Sequence, residues 1–262
     1  MSILKHEIKM NFKSILIWSL SVGLMSFAFI LIFPTMKSSL VDMSDSYSNM
    51  AGMSTVFGMD KLNISEIMGF YGIEIGSVLS LGGSLFAAVL GIGILSKEEG
   101  GHTSEFIFTL PISRKAILIE KYLAMIFCIL LFNVICITLI VSSFLIINEE
   151  IQIKEFILHQ LSLIIMNIEI GSITFGISAF HKKSNFGTGI ATSLILYFLD
   201  MMSKLNDKVE FLKYISPFSY CDASKVITSL KIDSKLLIPG LIMMIVFVSI
   251  GFFKYLKKDL VA

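Results

Sequence analysis

The stretch YLAMIFCILLFNVICITLIVSSFLII, residues 122–147, decides the fold class. It is longer than the roughly 20 residues that one helix needs to cross the hydrocarbon of a bilayer, and it contains no Asp, Glu, Lys or Arg. A helix on the surface of a soluble domain keeps one polar face toward water, and this segment has none. Segments of the same kind recur at 15–33, 75–95, 156–180, 186–202 and 236–255. Over the 262 residues, 55% are hydrophobic and 16% charged, against about 25% charged in an ordinary soluble domain. The expected fold is an all-α integral membrane protein with six transmembrane helices forming one domain over 1–262. The fifth span opens with Gly187 and Gly189 and is short, so it is expected to tilt or to be interrupted by the polar residues after Asp200.

Charge sets the orientation through Lys and Arg close to the span ends. Lys5, Lys9 and Lys13, then Lys97, Arg114, Lys115 and Lys121, then Lys182 and Lys183, then Lys254, Lys257 and Lys258 fall on one side, twelve of the 21 basic residues in short segments. The other nine are spread over longer segments that also hold most of the acids. This places both termini in the cytoplasm of a multi-pass cell-membrane protein. The net charge of +1 gives no field that would gather nucleic acid. Met1 to Lys13 is amphipathic. The run from Ile15 ends in Phe29, Ile30, Leu31 and Phe33 without a small-residue cleavage site, which reads as an uncleaved first span.

Cys128, Cys136 and Cys221 show neither CxxC nor Cys/His spacing, so no disulfide framework and no metal site is expected. Outside the spans, Met36, Met43, Met50, Met53, Met59 and Met68 are irregularly spaced and lack His or Cys support. They read as adaptable packing rather than a soft-metal site. Residues 34–72 form a long polar outer segment. Residues 203–235 form a second outer, interfacial segment, in which short helices are expected to bury Phe211, Leu212, Tyr214 and Ile215 at the membrane surface.

In the second span, small residues recur every four positions, Gly72, Gly76, Ser80, Ser84 and Ala88 on one stripe and Gly83, Ala87 and Gly91 on another. Four residues is just over one helical turn, so each stripe is a groove into which another backbone can approach. Helix packing within the chain and an interface with a second subunit both fit. Glu169 is the carboxylate deepest in an apolar run, with Asn167 and Ser172 nearby. A charge there costs several kcal/mol unless it faces protein or water. It therefore points inward, either toward cargo or a gate or into a hydrogen bond with a neighbouring helix. Glu74 and Asp200 are read as interface residues near the outer span ends.

The loop after the second span reads SKEEGGHTSEFIFTLPISRK, residues 96–115. Thr103 or Ser104 can cap a helix, Glu105 suits its positive first turn, Pro111 stops it, and Ser113 can cap the helix that continues into the third span. The product is a short cytoplasmic helix tied to two spans, with Phe106, Phe108 and Leu110 open to a partner.

The loop, with its acidic pair Glu98-Glu99, Thr103, Glu105-Phe106, Leu110-Pro111, Ser113-Arg114 and then Lys121 to Ala124, resembles the corresponding loop of ABC-2 type transporter permeases. The six-span plan and Ser216-Pro217-Phe218-Ser219-Tyr220 between the last two spans are similar to that family as well. The long segment 34–72 departs from its simplest members. The resemblance implies that residues 1–14 form an elbow helix on the cytoplasmic surface. It also implies that 97–115 is a coupling loop, with Glu98, Glu99, Thr103, Glu105, Phe106, Phe108, Leu110, Pro111 and Arg114 docking into an ATP-binding subunit. It further implies a second permease copy or a related permease. No GxxxxGK[ST] loop is present and Gly91-x-Gly93 lies inside a span, so ATP and Mg belong to the partner subunit. The family reading is an exporter of a hydrophobic or amphipathic cargo such as an antimicrobial peptide, antibiotic or lipid. A self-sufficient secondary transporter or channel is the alternative. An intramembrane protease is weaker still, because Glu98, Glu99 and His102 fall at the membrane edge.

Overall fold

Hydrocarbon offers no water to bond a free N–H or C=O, so an apolar chain in it folds as helices. The computed structural model describes residues 2–48, 53–100, 113–181 and 185–257, and among these residues there are helices and turns and no strand. Among the described residues, six helices are long and apolar enough to cross a membrane.

Helix α1 runs from Ser2 to Ser48, 47 residues, or about 70 Å at 1.5 Å per residue. That is more than twice the roughly 30 Å of hydrocarbon. Neither Gly nor Pro occurs between Ser2 and Val22, so nothing ends the helix at residue 14. The separate elbow expected over 1–14 is not set off from the span. Nor does the helix stop at Phe33, since it runs on through Pro34 to Ser48, into the polar outer segment. After α2 (Met53–Phe57), the chain turns at Gly58, whose φ of 75° suits glycine.

The second span begins earlier than residue 75. Helix α3 (Ile67–Phe70) passes through a π-helical turn (Tyr71–Ile75) into α4 (Gly76–Gly100). Met68, Phe70, Tyr71 and Ile73 are buried there, while Gly69, Gly72 and Glu74 give the same residues the look of a loop in sequence. Gly69 is required by packing, since a Cβ on it would lie 1.9 Å from the carbonyl oxygen of Asn63.

Helix α5 (Arg114–Ile147) starts at Ser113, whose side chain accepts from the N–H of Ala116, as its place in sequence predicts. It ends on Asn148 in the left-handed conformation. Helix α6 (Ile153–Ser178) follows, then α7 (Phe186–Leu205), which passes Asp200 without interruption. The 3-10 turns Asp207–Tyr214 and Pro217–Ser219 and helix α8 (Ala223–Ser229) lead into α9 (Ser234–Lys257). Phe211, Tyr214 and Ile215 are exposed on the chain. Within the bundle, the segment buries residues 216–221 together with Ala223, Ser224, Val226 and Ile227 of α8.

Helices α4 and α6 are central, with 67% and 72% of their most apolar stretches buried, against 28% for α7 and 17% for α9. They run parallel, and a Cβ added to Gly91 would lie 2.3 Å from both the Gly171 carbonyl and Thr174 Oγ1. Lipid tails are as apolar as leucine, so helices associate through close van der Waals contact of small residues. The stripe of Gly83, Ala87 and Gly91 meets α6 at Asn167 and Gly171. On the other stripe, Gly76 meets Ala223 of α8 and His159 of α6, Ser84 meets Ser193 of α7, and Ala88 meets Gly189 of α7. Helix α1 lies parallel to α5, where Gly23 receives Leu139, and α9 lies on the far side of α6, where Gly176 and Gly251 touch. Among the methionines, Met68 is buried, Met59 packs against the core and Met36 is exposed.

Replacing Gly91 by Ala drives a methyl into the α6 backbone and is expected to lower stability by about 1–3 kcal/mol. Ala191→Leu on the exposed face of α7 leaves stability unchanged. Thermal unfolding of the detergent-purified variants separates the two.

Candidate functional site

Polar side chains collect at the two ends of the bundle. At the end holding the N-terminus of α1, Lys121 is fully buried. Its Nζ lies 3.1 Å from Glu7 Oε1 and donates to the carbonyl of Ile94 at 2.9 Å. One ammonium thus ties α5 to the first turns of α1 and to the end of α4. Next to it, Glu120 accepts from the N–H groups of Ile3 and Leu4, both at 3.1 Å. A carboxylate at a helix start satisfies otherwise unbonded donors and the positive end of the dipole. Tyr122 shares a 2.9 Å hydrogen bond with Ser172 of α6, and Ser178 donates to the carbonyl of Ile92 at 2.7 Å. Four helices are therefore fastened within a few residues of where α4 ends and α5 begins.

At the opposite end, residues 216–222 are drawn into the bundle instead of lying on it. Ser216 donates to the carbonyl of Leu196 at 2.7 Å and, with Pro217 behind it, opens a 3-10 turn. Ser219 donates to Asp200 Oδ1. Lys204 bridges Asp200 and Asp222, 2.9 Å from each, and Asp222 also caps α8 by accepting from the N–H of Ser224. Burial pushes the Asp222 carboxyl up, but the Lys204 ammonium and the hydrogen bonds from Lys204 and Ser224 outweigh it and hold the group below its ordinary range. Tyr220 donates to Glu169 Oε2 at 2.8 Å, and Cys221 contacts Met166 Sδ at 3.0 Å. Burial raises both the Tyr220 phenol and the Cys221 thiol well above their usual values, so both keep their protons.

Glu169 faces Tyr220 and the backbone of α9, where a Cβ on Gly240 would lie 2.5 Å from Glu169 Oε2. Its Oε1 has no hydrogen-bond partner among the described residues. Deeper on α6, Asn167 donates to Asn133 at 3.2 Å. Toward the same end as Tyr220, His159 shares a 2.9 Å hydrogen bond with Tyr71, which also accepts from Gln160 at 3.0 Å. The cavity beside Lys204, lined by Ser80, Tyr197, Asp200, Cys221 and Asp222 among others, measures about 50 Å³. That holds a few waters and is far below the roughly 300–1,000 Å³ of drug-sized ligand sites.

Of the coupling residues expected from sequence, Glu98 and Glu99 lie in the last turns of α4, and Arg114 is the exposed first residue of α5. Thr103, Glu105, Phe106, Phe108, Leu110 and Pro111 lie outside the described residues. Gly76, Gly83, Ala87 and Gly91 are buried within the chain, and Ser80 lines the cavity. Asp200, read from sequence as an interface residue, is instead buried between Lys204 and Ser219. Neither the burial of Lys121 nor the role of His159 follows from the sequence alone, although His159 lies inside the fourth span. Their signal was there in kind, because a charged or imidazole side chain bordering an apolar run must find a partner.

Tyr220→Phe leaves the Glu169 carboxyl without its donor and is expected to cost about 1–3 kcal/mol. Glu169→Gln costs less, because the amide oxygen accepts the same bond. Unfolding of the two variants in one detergent gives the order.

A comparison with curated proteins finds no match. The model of one family, described as ABC-2 family transporter protein, matches residues 1–260. With six helices long and apolar enough to cross a membrane and nearly its whole length matched, the chain belongs to the ABC-2 family of transporter proteins and is a multi-pass membrane permease of ABC transport.

Proposed function

We infer that this permease works as the membrane half of an ATP-driven exporter, with both termini in the cytoplasm and a separate ATP-binding subunit docked on the 97–115 loop. That subunit carries the ATP and Mg, and a second copy of this chain or a related permease completes the transporter. The cargo is hydrophobic or amphipathic, in the class of antimicrobial peptides, antibiotics or lipids.

The observation that carries the reading is the junction around Lys121. A docking loop is useful only if the helices that carry it move together, and Lys121, Glu7 and the Ile94 carbonyl join α5, α1 and α4 next to that loop. Breaking such a buried pair by removing one partner costs about 3–5 kcal/mol, enough to keep the joint closed under load. The cytoplasmic side is supported by the bias of short basic segments toward this end of the bundle. The cavity beside Lys204, at about 50 Å³, is too small to pass such a cargo, which supports a path between two permeases rather than through that site.

The test is reconstitution in liposomes with its ATP-binding subunit. Phe106→Asp with Phe108→Asp is expected to abolish cargo-stimulated ATP hydrolysis and co-purification of the ATPase while leaving the permease folded. Unchanged coupling in that variant, or transport by the chain alone, defeats the reading. Labelling of cysteines placed at Ser2 and Lys208 from either side of sealed vesicles reports the orientation independently.

A further inference from the structure

Two open apolar grooves lie at opposite ends of α6, and their charges differ. One, of about 500 Å³, is lined by Phe180, Ser249, Ile250, Phe253, Lys254 and Lys257, with no carboxylate among the described residues that line it. The other, of about 540 Å³, is walled by Phe144, Leu145 and Ile153 but rimmed by Glu149 and Glu150. The 26 residues of α6 separate them by about 39 Å, one near each face of a bilayer.

We propose that the first groove binds an anionic phospholipid, with one acyl chain along Phe180, Ile250 and Phe253 and the headgroup phosphate between Lys254 and Lys257. The lysines are placed for this. Lys254 Nζ lies 5.6 Å from the centre of the Phe180 ring and Lys257 Nζ 4.5 Å from that of Phe253, so each ammonium sits over an aromatic wall at the end of the apolar floor. An ammonium presents three donors and no acceptor, which suits phosphate oxygens. Stems lying on apolar surface with charged tips at the headgroup level are the usual posture of lysine at a membrane edge. Phe180 and Phe253 are 58% and 65% exposed on the chain, and α9 is the least buried of the six helices, so the floor is open to lipid along its length. A free phosphate has no use for such a floor. The acidic rim of the second groove repels the same headgroup.

The purified full chain is exchanged into micelles carrying phosphatidylglycerol and phosphatidylcholine, and retained lipid is counted by native mass spectrometry. Wild type is expected to keep phosphatidylglycerol in preference. The double variant Lys254→Gln, Lys257→Gln lowers that preference by about tenfold or more, while Glu149→Gln, Glu150→Gln does not lower it and soluble glycerol phosphate does not compete. As a second readout, Phe253→Trp with both lysines intact is quenched more by brominated phosphatidylglycerol than by brominated phosphatidylcholine. Equal retention by the lysine variant, displacement by glycerol phosphate, or efficient disulfide cross-linking of Phe253→Cys between two copies in the membrane overturns the proposal. The last outcome would show protein in the groove.

Discussion

The approach of α4 to α6 constrains the rest of the bundle. Gly91 lets the α4 backbone come so near that a single methyl would strike the Gly171 carbonyl, and Gly83 does the same for Asn167. In lipid such contact is the main attraction between helices, since burial of apolar surface there gains nothing over solvation by tails. Once these two are joined, their remaining faces decide the neighbours. Helix α4 offers Ser84 and Ala88 to α7, and α6 offers Glu169 and Gly176 to α9.

The same pair separates two kinds of polar fastening. Near the start of α1, one buried ammonium and one capping carboxylate secure three helices. At the other end, a loop has been pulled inside, and its polar groups are answered one by one: Ser216 by a carbonyl, Ser219 and Lys204 by Asp200, Asp222 by Lys204, Tyr220 by Glu169. Each group alone would be expensive in a membrane setting, and each is tolerable because its partner is equally in need.

Much of this was legible in the sequence, and the limits have physical causes. The six spans show because twenty or so apolar residues have few other uses. Their ends do not show so well. Residues 35–48, where Leu40 and Val41 stand among polar side chains, continue a helix with too little apolar character to read as span, and Gly69, Gly72 and Glu74 disguise the start of the second span. Ser216 to Tyr220 drew notice as a family phrase, yet its burial depends on Asp200, Leu196 and Glu169, each a different distance away along the chain. Glu7 and Lys121 are 114 residues apart, and no local pattern announces such a pairing. A lysine at a span edge looks alike whether it meets water or a hidden carboxylate.

The unbroken course of α1 has a mechanical consequence. A rod of that length, clamped at its base to α5 and α4 and reaching well beyond the opposite membrane face, has little room to absorb a push along its axis. Pro34 is its built-in weak point, because proline supplies no N–H to the carbonyl of Ile30. A tilt imposed at the base is thus passed through the bilayer almost whole, and any bend has a preferred place to occur, just short of where the rod emerges.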